Sequence, residues 1–172
     1  MKTLGPAGMK WLKIAHILLA ALFFGGIMSS LALNFAVNLA AYHETFDFYR
    51  HTVIISDYII RIGAVGTLLI GLLYGIFTKW GFFKHRWIAV KWVLFIIQTF
   101  IGIFIVDQLM EANMAMLEAG KASALNSPVF MHNHTLRQYA AIVQTAITVF
   151  IICISVLKPW KKKKTAPKKN ES

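Results

Sequence analysis

Four apolar stretches, roughly residues 14–40, 53–78, 87–110 and 136–157, constrain this chain more than any other feature. Each is long enough to cross a hydrocarbon core of about 30 Å, which takes about 20 helical residues. Lipid offers no partner to a backbone N–H or C=O, so a spanning segment must be a helix or a strand of a closed barrel. A barrel would need alternating segments of about ten residues, and the sequence carries no such pattern. Composition agrees. Of the 172 residues, 58% are hydrophobic and 15% charged, too apolar a balance for an ordinary soluble domain. The expectation is an all-α integral membrane protein, a four-helix up-down bundle. The first stretch is too long for a secretory signal and no small-residue cleavage pattern follows it, so it is read as a retained helix.

The formal net charge is +11, and its placement matters more than its size. Fourteen of the 18 Lys and Arg residues fall in three places. These are the N-terminus (Lys2, Lys10, Lys13), the hairpin between the second and third stretches (Lys79, Lys84, Arg86, Lys91), and the tail from Lys158. The acids Glu44, Asp47, Asp57, Asp107, Glu111 and Glu118 lie on or near the opposite side. Basic loops mark the cytoplasmic side of a membrane protein. Both termini are therefore expected inside a prokaryotic cytoplasmic membrane. Residues 1–158 form the transmembrane domain on this reading. Residues 159–172 form a disordered basic tail beside anionic headgroups, and no nucleic acid is expected as a partner. The lone cysteine, Cys153, excludes a disulfide within the chain and is read as a packing residue.

Short connections make sequential helices antiparallel. Residues 41–52 are expected as one such connection. The external connection, residues 111–137, is longer. It opens with EANMAMLEAGKASAL, which either extends the third helix or forms a short surface helix, and it breaks at Asn126-Ser127-Pro128.

Polar residues inside the spans are ordered. At about 100° per residue, Gly26, Ser30, Asn34 and Asn38 form one stripe on the first helix, and His16 falls on the same face. The second helix carries Asp57, Arg61, Thr67, Gly71 and Gly75 on one broad face. The third aligns Lys91, Gln98 and Gly102. The fourth aligns Gln138 with Thr145, and separately Gln144 with Thr148 and Ser155. Small residues and amides of this kind pack helices together. Ionisable groups are costly in a membrane and point to cavities or partners.

Several side chains are candidates for chemistry. His16 suits three roles: a hydrogen-bonded packing residue, an axial haem ligand or a proton-transfer group. Asp57 and Arg61 are spaced to pair on one helix face. Lys91 either snorkels to the cytoplasmic surface or meets a carboxylate such as a porphyrin propionate, at a depth similar to that of His16. Toward the external side, His43, His51, His132 and His134 gather near Met131, Glu44 and Asp47. Imidazole and thioether donors of this kind suit copper.

Trp11-Leu12-Lys13-x-x-His16-Ile17, followed by Phe23-x-x-Gly26, resembles the first helix of the HemJ-type protoporphyrinogen IX oxidases and of related CopD-like membrane families. Gly63-x-x-Gly66-Thr67-x-x-x-Gly71-Leu72 is similar to a later helix of those proteins, and Trp87-x-x-x-Lys91 resembles their W-x-x-x-K helix start. The resemblance implies haem-linked roles for His16 and Lys91. The helix starting at Trp87 carries Gln98 where those families tend to have a further histidine, which brings His51 with His132 or His134 into view as alternative ligands. The leading expectation is a haem b protein serving electron transfer or redox chemistry, linked to a quinone or a porphyrin. Asp57, Arg61 and Lys91 would be charge partners, and the Gly71/Gly75 surface would admit a flat ring. A CopD-like copper-handling protein and a cofactor-free structural or assembly subunit are the alternatives. A homo-oligomer is compatible with each.

Overall fold

The computed structural model describes residues 5–77 and 85–160, and its secondary structure among these is entirely helical. Helix α1 spans Pro6–Ala36. Helix α2 (Tyr42–Ile55) runs through a π-helical turn, Ser56–Ile60, into α3 (Arg61–Phe77). Helix α4 (Arg86–Ile101) runs through a second π-helical turn, Gly102–Asp107, into α5 (Gln108–Gly120) and a 3₁₀ segment, Lys121–Asn126. Helix α6 is Pro128–Leu157. These make four spans long and apolar enough to cross a membrane: Pro6–Ala36, Tyr42–Phe77, Arg86–Asn126 and Pro128–Leu157. The all-α membrane bundle expected from the sequence is what the chain forms.

The span boundaries differ from those expected, and periodicity explains why. Residues 41–52 were expected to connect two helices, but α2 begins at Tyr42. Thr45, Phe48, Tyr49 and Thr52 are buried, an i, i+3, i+4, i+7 set that makes a single inward face. Polar residues between them lower the average hydropathy without breaking the helix. The fourth span likewise starts at Pro128, not near residue 136. Pro128 takes the first helical position, where its missing N–H costs nothing. Phe130, His134, Arg137, Ala141, Gln144 and Thr148 then follow at steps of three and four, all buried. At the other end Lys158 adopts a left-handed conformation (φ 46°) and donates its N–H to the Ile154 carbonyl. Pro159 follows and blocks continuation. The first helix stops at Ala36, four residues short of the expected end. Asn38, placed on the inward stripe by its period, is exposed and accepts a hydrogen bond from the Ala40 N–H at 3.1 Å, shaping the turn into α2. Lys2, Lys79, Lys84 and residues 161–172 of the expected tail lie outside the described residues.

Helix α3 packs antiparallel along α1, and glycine sets the spacing. A Cβ at Gly63 would lie 2.5 Å from the Phe23 backbone nitrogen. A Cβ at Gly26 would lie 2.7 Å from Ile60 Cγ1. Only hydrogen side chains let the two helices approach this closely. Helix α6 packs on α1 and α4, and α5 packs on α2 and α6. With four alternating spans, the two ends of the described chain lie on one side, together with Lys10, Lys13, Arg86, Lys91 and Lys158. We refer to this as the basic end. At the other, acidic end, Phe48, Tyr49, Met110, Leu117, Ala124 and Phe130 form the densest apolar cluster. Large apolar side chains such as Leu18, Val65, Phe100 and Phe150 face outward, while Ser30, Asn34, Gln98, Asn113, Arg137, Gln144 and Thr148 face inward. That inversion is what a lipid solvent selects.

Candidate functional site

Polar side chains gather at three depths. At the basic end, His16 lies edge-on to Tyr74 of α3, with ring centroids 5.8 Å apart. Its Nδ1 atom is buried and has no hydrogen-bond partner among the described residues. The Lys91 ammonium rests 4.9 Å above the Trp87 ring. His85 caps the start of α4 and stacks on the same indole, centroids 6.2 Å apart. His16 and Lys91 both belong to the basic end, and His85, which the sequence reading did not single out, is the other imidazole there. The flat-ring surface expected at Gly71 is already occupied by an indole: a Cβ on Gly71 would meet Trp92 at 3.3 Å.

The middle layer joins α4 to α6. Gln144 donates from Nε2 to the Gln98 carbonyl at 3.0 Å, and Thr148 donates to Gln98 Oε1 at 2.9 Å. Gln144 reaches the Gln98 carbonyl where the Gly102–Asp107 π turn begins, and side-chain insertion into the i→i−4 ladder is a known cause of such a distortion. That π turn faces the other. Ser56 donates to Asp107 Oδ1 at 2.9 Å, and Arg61 bridges Asp57 at 2.9 Å and Asp107 at 3.4 Å. The expected Asp57–Arg61 pair is therefore formed, with Asp107 as an unforeseen third member. It lies far from His16: Arg61 and Asp57 side chains are 55% and 40% exposed on the bundle's outer surface. They are not placed to serve the same ligand as His16.

Toward the acidic end, the network is buried. Asn113 donates to the Tyr49 hydroxyl at 2.7 Å and to the Phe130 carbonyl at 3.0 Å, and Asn133 donates to Asn113 Oδ1 at 3.0 Å. The Tyr49 oxygen lies 3.0 Å from His134 Nδ1. Arg137, 1% exposed, donates to Asn34 Oδ1 and stacks over Phe48 and Tyr49, 5.0 and 5.5 Å from the ring centroids. The sequence reading used Arg137 only as the end of a connection. Its place in the i, i+3, i+7 series with His134, Ala141 and Gln144 was the available signal.

The histidines expected on the external side do not converge. His132 and His134 are two apart on α6, and residues so spaced do not face each other on a helix. His134 is buried against Tyr49, while His132 is exposed. His43 and His51 are on the exposed face of α2. Among the described residues, no three His, Cys, Asp or Glu side chains come close enough to hold a metal ion. His16 is also remote from this end: Asn34, beside Arg137, lies eighteen residues along α1, or about 27 Å. No one haem can therefore take His16 and His134 together.

The inverted polarity, the four long apolar helices and the internal polar layers define an integral membrane helical bundle. The model of the family described as a predicted integral membrane protein (DUF2269) matches residues 10–159, and the chain belongs to that family. No curated protein and no solved structure matches the chain.

Proposed function

We propose that this protein is a membrane-embedded redox protein that holds b-type haem at its basic end, with His16 as an axial ligand. The observation that carries the reading is the buried, partnerless Nδ1 of His16. A buried ring nitrogen with no partner is unfavourable in a membrane interior, and coordination to iron would satisfy it. Lys91 supports the same reading, being a cation within reach of a propionate and oriented by the Trp87 face. Tyr74, packed edge-on, holds the His16 ring orientation. Haem would supply one-electron exchange. The chain's part is to present an imidazole, balance carboxylate charge and exclude water. His85, at the same end, is the imidazole that would supply a second ligand. The basic end would face the cytoplasm, in keeping with the positive-inside rule, and the electron partner would be a lipid-soluble quinone or a porphyrin.

The copper reading is not carried forward, because His43, His51, His132 and His134 point to different surroundings. The experiment is haem content per protein in the purified wild type, His16→Ala and His132→Ala, after expression with added haem precursor. The reading expects near-stoichiometric haem in the wild type and His132→Ala, and at least a tenfold loss in His16→Ala. Equal content in all three, or haem in none, overturns it. Haem in none would leave a structural or assembly subunit as the reading to pursue.

A further inference from the structure

The acidic-end network contains a charge imbalance that the haem reading does not use. Arg137 is a cation buried to 1% exposure inside a membrane-spanning helix. No carboxylate lies within ion-pair distance of it among the described residues; the acids that pair, Asp57 and Asp107, are bound to Arg61. Its hydrogen-bond partner is the Asn34 side-chain oxygen, a neutral acceptor, and the Phe48 and Tyr49 rings lie over its guanidinium. The Tyr49 phenol oxygen is committed elsewhere, accepting from Asn113 and lying against His134 Nδ1. Two donors in this nest have no acceptor among the described residues: Arg137 Nε and Asn34 Nδ2. Asn34 is itself 4% exposed. A buried charge lacking both a counter-charge and a full set of hydrogen bonds is strongly disfavoured, and in a bilayer the cost is felt most.

We propose that Arg137 and Asn34 form a binding site for a small monovalent anion of halide size. The two unused donors belong to residues already joined by a hydrogen bond, and an anion entering beside them would have to part the side chains that now enclose both atoms. A monoatomic anion supplies the missing negative charge and asks little room of a packed interior. A second arginine-to-carboxylate bridge is unavailable, and a bulky ligand would have to displace Phe48 and Tyr49, which cover the guanidinium. The site stands on its own residues, at the other end of α1 from His16.

The test is thermal unfolding of the full-length protein in detergent, titrated with sodium chloride against sodium gluconate at constant ionic strength. Gluconate is too large for the site and controls for screening. The wild type is expected to show a saturable rise of several degrees in Tm with chloride, and bromide should act likewise. Asn34→Leu, which removes one donor but keeps the cation, should weaken the apparent chloride affinity at least tenfold. Arg137→Gln should abolish the response if it folds. If it does not fold, Asn34→Leu decides the matter alone. Identical wild-type Tm values in chloride and gluconate, or a chloride response unchanged in Asn34→Leu, would overturn the proposal.

Discussion

Asn113 ties together three parts of the acidic end: Tyr49 of α2, the Phe130 carbonyl and Asn133 of α6. It is fully buried. Replacing it by leucine keeps the volume but takes a donor from the buried Tyr49 hydroxyl and Phe130 carbonyl and an acceptor from the half-buried Asn133 amide. We expect Asn113→Leu to destabilise the protein by about 1–3 kcal/mol. Asn38→Ala, at an exposed turn, should change stability by less than about 0.5 kcal/mol. Tryptophan-fluorescence unfolding in detergent checks both. Residues on a stripe were legible in proportion to how well their span was bounded. Gly26, Ser30 and Asn34 fall where the helical period puts them, all buried. Gln98, Gln144 and Thr148 do too. Arg137 and Asn113 were missed because residues 111–137 were read as a connection, and a residue assigned to a loop has no face. His134 was read as a metal ligand when its surroundings make it a hydrogen-bond partner of Tyr49.

Between elements, the α1–α3 contact yields a prediction whose sign runs against helix propensity. Alanine is favoured over glycine in a helix by about 1 kcal/mol. At Gly25, where an added Cβ meets nothing within 4 Å, Gly25→Ala should be neutral or mildly stabilising. At Gly63 the added Cβ would meet the Phe23 backbone, which cannot yield without moving α1. Gly63→Ala should therefore lose about 1–3 kcal/mol through overpacking. The two π turns give a second test. Ser56 and Asp107 are joined directly, so Ser56→Ala and Asp107→Asn should be non-additive in stability, with a coupling of about 0.5–3 kcal/mol in a double-mutant cycle. The close α1–α3 packing was foreshadowed by glycine spacing in the sequence. The π turns were not, because one extra residue per turn leaves no local composition signal. The contacts that accompany them are long-range: Gln144 of α6 on the Gln98 carbonyl of α4, and Ser56 on Asp107.

For the molecule as a whole, class and span number were legible because hydropathy is averaged over a window and survives errors at either end. Neighbour relations were not. That α3 packs chiefly along α1, and that α2 meets α5, depends on contacts between residues far apart in sequence. The orientation of the bundle is open to a direct check. With Cys153 replaced by alanine, Glu44→Cys should react with a membrane-impermeant thiol reagent on intact cells, whereas Lys10→Cys should react only after the membrane is opened. The reverse pattern would place the basic end outside. The central proposal, that His16 is a haem ligand, is tested most directly by an absorption spectrum. The purified wild type would be recorded oxidised and after dithionite, beside His16→Ala prepared identically. A Soret band with sharpened reduced α and β bands, present in the wild type and lost or displaced in His16→Ala, is the predicted result. A Soret-free wild type after haem supplementation, or an unaltered spectrum in His16→Ala, would contradict it.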